Sequence, residues 1–385
     1  MDDPREVAAN GIDDDGNGFV DDVHGWDFVG GDDVPADETA VNGNPGHGTH
    51  VAGTIAARGD DGAGVAGVTW SARLMPVRAF DQAGAATTAR VVSGLVYAAA
   101  NGARIVNVSF GAIAPSQAER DAIASFPNTL FVVAAGNDGV STDSGDQATC
   151  AAIVGAPGFN PANPPRQCSF PCDYGLPNTI CVAASDGADG LASFSDFGSR
   201  FVDLAAPGET IWSTVPGGSW ASLSGTSMSV GFVAGAAALT LTHRPTLTAA
   251  QLRQALLQGV DAKASLTGKV ATGGRLSAAG ALAAADAIVP RAEPAAPPAP
   301  APAPPPAAAP APVAPSATRA PDRTAPRLAL TVRRRARLGP AVRRGLRARA
   351  RCSEPCTLSY VLRLDARTAR RLGLQRTVAR ATRRV

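Results

Sequence analysis

The chain has 385 residues, 45% of them hydrophobic, so it is long enough to bury a large core and to form about two domains. Its formal net charge of +2 conceals two unlike ends: residues 1–61 hold fifteen Asp or Glu against two Arg, and residues 319–385 hold twenty Arg against Asp322, Glu354 and Asp365. No run of about 18 apolar residues occurs, which excludes a membrane-spanning helix, and Met1 is followed by Asp2-Asp3-Pro4 with no basic and apolar leader.

In chain order, composition predicts three regions: a main domain over 1–289, a Pro/Ala-rich linker over 290–326 and a small Arg-rich β domain over 327–385. The main domain opens on an acidic turn. Strand and helix signals then alternate. Residues 72–80 read as a strand, 88–101 as a helix stopped by Gly102, 104–109 and 129–135 as buried strands, and 116–125 as the helix between them. Short strands follow at 201–205 and 210–213, then helices at 227–242 and 248–258. Strands alternating with helices of this length predict an α/β fold, a doubly wound and mostly parallel sheet covered on both faces. Ligands of such sheets bind at the carboxyl ends of the strands, where the glycine-rich turns gather here. The Pro/Ala stretch lacks anything to bury and predicts an extended spacer.

Three short segments carry chemistry. His47 lies in Gly46-His47-Gly48-Thr49-His50, at the start of a helix and between glycines that allow close approach. Ser227 follows Gly225-Thr226 and opens a helix lined by Gly231, Ala234, Gly235 and Ala238. Its place in the first turn meets free N–H groups and the positive end of the backbone dipole. Asn137 ends the apolar run Val132–Ala135 in a Gly-Asn turn. Alone, each has an ordinary structural explanation: a satisfied core histidine, a helix cap, a tight turn. In the order His, Asn, Ser they are specific.

HGTHVAGTIAA, NVSFG, VVAAGND, DLAAPG and SGTSM together resemble the motif series of the subtilase family over about residues 11–285. That resemblance implies a seven-stranded doubly wound domain and a serine endopeptidase acting on extended polypeptides; a monomer is expected. It gives His47 as general base, Ser227 as nucleophile, and Asn137 with the Ser227 amide as oxyanion hole. It also implies that Ser109, Phe110 and Gly111, and the backbone around Trp220-Ala221-Ser222, pair with substrate. Ala134, Ala135 and Gly136 would line the pocket for the residue before the scissile bond. No cofactor takes part in the chemistry, and the enzyme is expected to be secreted or at the cell surface.

The pattern breaks in two places. The family's aspartate belongs to an Asp-Ser/Thr-Gly motif ending an apolar strand upstream of the histidine, and nothing before His47 fits. Asp143-Ser144-Gly145 matches as a string but follows Asn137 in a polar loop, so it is a decoy. A chain recorded without its N-terminal portion is the expected reason, and poor activity the expected result. After Ser227-Met228, Ser229-Val230-Gly231 stands where the family has a proline.

Asp13, Asp15, Asn17 and Asp21 occupy positions 1, 3, 5 and 9 of a calcium-loop pattern with Gly18 at position 6 and His24, not Glu, at position 12. This predicts a structural calcium, with Asp22 or Asp27 completing the set. The six cysteines lack paired zinc-knuckle spacing and predict disulfides of an oxidising compartment. Cys150, Cys168, Cys172 and Cys181 allow three connectivities, whereas Cys352 and Cys356 are close enough for a local staple. The alternation of apolar residues with Arg in the tail suggests an incomplete β-sandwich. Its twenty arginines accompany no nucleic-acid-reading motif, so nucleic acid is not the expected partner. Two other readings compete with the protease: a non-catalytic peptide-binding or surface module of the same fold, and a polyanion binder acting through the tail.

Overall fold

The computed structural model describes residues 5–38, 46–144, 147–154 and 167–288, together with the backbone of four strands in the tail. The chain divides into two units, Met1–Ala296 and Pro297–Val385. The predicted Pro/Ala linker and the Cys352–Cys356 staple lie outside the described residues.

The first unit runs in order β1 (Trp26–Asp27), α1 (His47–Ala56), β2 (Val77–Arg78), α2 (Thr88–Ala100), β3 (Ile105–Val108), α3 (Gln117–Ala124), β4 (Leu130–Ala134) and α4 (Gln147–Val154). It continues with β5 (Thr179–Ser185), β6 (Leu204–Pro207), β7 (Ile211–Val215), β8 (Ser219–Leu223), α5 (Thr226–His243), α6 (Ala249–Gln258), β9 (Asp261–Ala262), β10 (Gly274–Arg275) and α7 (Ala278–Ile288). The main sheet has the order β3-β4-β5-β6-β10-β9, parallel throughout except for the β9 edge.

Side chains alternate across a strand, so a sheet buried on both faces needs apolar residues at every position. β4 meets that condition. Leu130, Val132 and Ala134 enter the core under α1, α5, α6 and α7, whereas Phe131, Val133 and Ala135 enter the one under α2 and α3. β5 splits the same way, with Ile180 and Val182 on the first face and Cys181 and Ala183 on the second. Each buried aliphatic side chain contributes about 1.5–3 kcal/mol over an exposed one, so this central pair of strands is the rigid floor of the unit. The predicted doubly wound sheet is therefore present, with six strands among the described residues where the resemblance implied seven.

The structure departs from or adds to the sequence expectations at three places. The strand expected over 72–80 shrinks to Val77–Arg78, which pairs with Trp26–Asp27 in a separate two-stranded sheet. A strand persists only where a neighbour takes its hydrogen bonds, and Pro76 has no N–H to give; its carbonyl accepts from Trp26. The fully buried β5 was not foreseen. The strand at 210–213 is one arm of an antiparallel hairpin closed by Pro216-Gly217-Gly218, and its partner β8 takes up Trp220–Ser222.

The four cysteines with open pairing form Cys150–Cys168 and Cys172–Cys181. In the second unit, β11 (Leu328–Val332) pairs antiparallel with β12 (Ala348–Cys352), and β13 (Thr357–Arg363) with β14 (Thr377–Arg384). Among the described residues no helix is long and apolar enough to cross a membrane.

Candidate active site

α1 begins where it does because Gly46 takes left-handed backbone (φ 79°), and a Cβ there would fall 2.1 Å from the Pro216 ring. Only glycine fits. The first helical amides need acceptors, and Asp37 supplies one: its Oδ2 accepts from the Thr49 N–H at 2.7 Å and the Thr49 hydroxyl at 2.6 Å. His47 is half-buried at this end. Burial holds its imidazole below the usual value, while the Asp37 charge acts upward and His50 downward. His50, fully buried, has another task. Its Nε2 faces the carbonyls of Ile211 and Ala221 at 3.0 and 3.2 Å. Ser213 and Thr214 donate hydroxyls back to the carbonyls of His50 and Thr49, so the hairpin is stitched to α1.

α5 lies against α1 through its small residues. A Cβ on Gly231 would meet Thr54 at 3.2 Å and the Val51 carbonyl at 3.4 Å. One turn on, a Cβ on Gly235 would meet the Ile55 carbonyl at 3.2 Å and Val68 at 2.6 Å. Position 231 thus faces 51, and 235 faces 55. The two helices advance together, four residues to a turn. Extended one turn back, the same register would pair position 227 with position 47, at the N-terminal ends of the two helices.

The hydroxyl of Ser227 donates to the Ser109 carbonyl at 3.1 Å, and the Ser109 hydroxyl donates to the Ser227 carbonyl at the same distance. These two bonds tie the first turn of α5 to the carboxyl end of β3. Asn137 follows the carboxyl end of β4. Its Oδ1 accepts from the Thr226 N–H at 2.9 Å and the Thr226 hydroxyl at 3.0 Å. With the oxygen held there, the amide Nδ2 is left to donate on the side facing Gly225, where a Cβ would lie 3.7 Å from it.

Ser109, Phe110 and Gly111 leave β3 in a segment whose next residue, Ala112, exchanges both backbone hydrogen bonds with Phe170 at 2.8 Å. Phe110 leans on Phe80, ring centroids 5.0 Å apart. Ala134 and Ala135 are buried where β4 ends, and Gly136 begins the Asn137 turn. Trp220–Ser222 is different: one edge of that segment is already paired with β7. Asp143, the decoy, accepts from the amides of Ser199 and Arg200 at 3.1 and 2.8 Å and organises a loop.

The acidic turn draws in a residue that no motif marks. Carboxylate oxygens of Glu6, Asp13 and Asp15 come within 4.8 Å of one another. Glu6 is 7% exposed and its Oε2 is buried without a hydrogen-bond partner among the described residues, as is Oδ1 of Asp22. Burial and the Asp22 charge push the Glu6 carboxyl up. Such a cluster fits a hard, oxygen-ligated cation. Of the predicted ligands, Asp13 and Asp15 are in the cluster. Asn17 donates to Asp22 at 2.9 Å. Asp21 is turned aside, accepting from the amides of Asn10 and Gly11 at 2.9 and 2.8 Å, and Asp27 pairs with Arg78 at 2.7 Å. Asp37, Thr226 and Glu6 escaped the sequence because their roles come from partners that only folding brings near.

The family model for the subtilase family matches residues 2–280. The chain belongs to that family, and by class it is a subtilisin-like serine endopeptidase. It is 37% identical over 248 residues to thermitase of Thermoactinomyces vulgaris, covering 64% of this chain and 76% of the relative. It is 38% identical over 225 residues to subtilisin amylosacchariticus of Bacillus subtilis subsp. amylosacchariticus, covering 58% of this chain and about half of the relative (52%). Among solved structures, a cold adapted subtilisin-like serine proteinase superposes with TM-score 0.50 at 30% identity, over 64% of this chain and 79% of that one. A protease from Pseudoalteromonas arctica gives 0.52 at 28%, over 66% and 78%.

Proposed function

We propose that this chain cleaves peptide bonds in extended polypeptides through an acyl-enzyme on Ser227, with His47 as general base and the Asn137 Nδ2 and Ser227 N–H as oxyanion donors. The observation that supports the reading is the common register of α1 and α5 at 231/51 and 235/55, which one turn earlier would set the His47 imidazole and the Ser227 hydroxyl at adjacent helix starts, with the Asn137 oxygen already engaged by Thr226. A serine hydroxyl attacks only as a neighbouring base removes its proton, and the half-buried His47, held below its ordinary value, is neutral and able to accept it near pH 7. The developing oxyanion needs donors already in place. Segments 109–111 and 134–136 border the same spot and would hold the substrate backbone and the side chain before the scissile bond.

No Asp-Ser/Thr-Gly segment stands before His47 in these 385 residues. In subtilisin, removing the triad aspartate lowers kcat about 3 × 10⁴-fold, and turnover by this chain is expected to be slow on that scale. A cation held by Glu6, Asp13 and Asp15, with Asp22 at hand, would neutralise buried charge and brace the fold; calcium suits this all-oxygen set. The two disulfides suit an oxidising compartment and so a secreted or surface protein.

A fluorophosphonate probe tests the reading. The parent chain should be labelled on Ser227, and Ser227→Ala and His47→Ala should abolish labelling. A correctly folded parent that resists the probe, yet binds peptides, would instead be a non-catalytic module of this fold.

A further inference from the structure

One buried carboxylate has no part in the chemistry above, and it lies beneath the turn that presents Asn137. Asp196 is 2% exposed. Its Oδ1 accepts from the amides of Asp138 and Val140, each at 3.0 Å, and its own N–H donates to the Gly136 carbonyl at 3.0 Å. Gly139 donates to the Phe194 carbonyl at 2.8 Å and Phe197 to the Val140 carbonyl at 3.0 Å. Residues 194–197 therefore hydrogen-bond to Gly136, Asp138, Gly139 and Val140 of the turn, whereas the Asn137 side chain reaches across to Thr226.

The fit is close. Gly136 has φ 117°, and a Cβ on it would fall 2.1 Å from the Asp196 Oδ2. Burial pushes the Asp196 carboxyl up to about 6, against the pull of the amides of Val140, Asp138 and Gly139; the nearby Asp138 charge pushes the same way as burial. A carboxylate buried among amides, with no cation bonded to it among the described residues, costs stability that an apolar residue of the same size would not. What it gives in exchange is a strong acceptor that fixes two amides of one turn, those of Asp138 and Val140.

We propose that Asp196 is a positioning residue for the oxyanion hole: by holding the amides of Asp138 and Val140 it fixes the turn that places the Asn137 Nδ2 where the oxyanion forms. The inference rests on the proposed role of Asn137 as donor. Its physical basis is that a donor stabilises the transition state in proportion to how well it is held beforehand, and a turn loose by about 0.5 Å forfeits much of the effect.

The test is a double-mutant cycle on the full chain. A peptide p-nitrophenyl ester serves as substrate, because its good leaving group keeps slow variants measurable. Asp196→Ala should lower kcat about 10- to 100-fold with KM changed less than about threefold. Asp196→Asn, which retains an acceptor oxygen, should recover most of the loss. In an Asn137→Ala background, Asp196→Ala should cost no more than about a further threefold, because the group it positions is gone. The proposal is overturned if Asp196→Ala leaves kcat within twofold of the parent, or lowers it by the same factor in both backgrounds. Should Asp196→Ala fail to fold, Asp196→Glu, which keeps the charge and shifts the acceptor, takes its place in the same cycle with the same criteria. An unchanged kcat in Asn137→Ala would defeat the reading of Asn137 itself. A parent chain without turnover would remove the site reading and this inference with it.

Discussion

At His47 two opposed influences can be separated by one substitution. Burial lowers its tendency to hold a proton, and the Asp37 charge raises it. Asp37→Asn removes the second influence and leaves the first. The imidazole should therefore titrate lower still, and the acid limb of Ser227 labelling should move to lower pH. An NMR titration of the His47 ring protons checks the same shift directly, and a movement upward or none at all would contradict it. The amide keeps an acceptor for the Thr49 N–H, so stability should change by less than about 1 kcal/mol, whereas Asp37→Ala should cost about that much through the lost helix cap. His47, Ser227 and Asn137 were legible because each sits in a short motif with glycines or small residues beside it. Asp37, Asp196 and Glu6 were not. Each acts on groups at least seven residues away that only folding brings together, and nothing about an isolated acidic residue says which partner it will meet.

Whether the two active-site helices stay in register depends on two glycines of α5. At Gly235, replacement by Ala would gain about 1 kcal/mol of intrinsic helix preference. The new methyl would lie 2.6 Å from Val68 and 3.2 Å from the Ile55 carbonyl, however, in a region with no flexible side-chain end to move aside. Overpacking of this kind costs about 1–3 kcal/mol, so net destabilisation is expected, with slower labelling of Ser227 as the helix starts are pushed apart. Thermal melts and probe kinetics on Gly235→Ala measure both, and a variant more stable than the parent would contradict the packing argument. The elements themselves were readable where local pattern and tertiary role agree. The helix over 88–100 and the all-apolar β4 fell within a residue or two of expectation. The expected strand over 72–80 failed because pattern does not reveal a missing neighbour. β7 and β8 could have been paired from Pro216-Gly217-Gly218 between two short runs. β5 lay hidden beside a cysteine-rich loop whose pairing the sequence leaves open.

Two charged features make the stability of the first unit depend on its solution, and they respond to different variables. If the cluster of Glu6, Asp13 and Asp15 holds calcium, chelation should lower the melting temperature and excess calcium should restore it. The difference should grow as RT ln(1 + [Ca²⁺]/Kd) and shrink in Glu6→Gln; a melting curve indifferent to chelator would refute the site. pH acts through Asp173, which is 3% exposed beside the Cys172–Cys181 disulfide. Its Oδ2 accepts from the Ser169 N–H at 2.7 Å, and its Oδ1 is buried without a partner. Burial, opposed by the Ser169 amide and by Arg200 and helped by the charges of Asp196 and Asp143, pushes its carboxyl from 3.8 up to about 8. The folded state therefore keeps a proton that the unfolded chain releases above about pH 4. Below pH 4 both states are protonated and nothing is lost. Between pH 4 and 8 stability falls as pH rises, and above 8 the full cost of a buried charge remains, roughly 4–6 kcal/mol at 1.4 kcal/mol per unit. Asp173→Asn carries no ionisable proton and keeps an acceptor for Ser169. In a Ser227→Ala background, to prevent self-digestion, it should match the parent near pH 4 and exceed it by several kcal/mol at pH 9. Urea denaturation at the two pH values decides: an equal gain at both would mean that the substitution acts through packing, and that the charge buried beside the disulfide is not what limits the fold in alkaline solution.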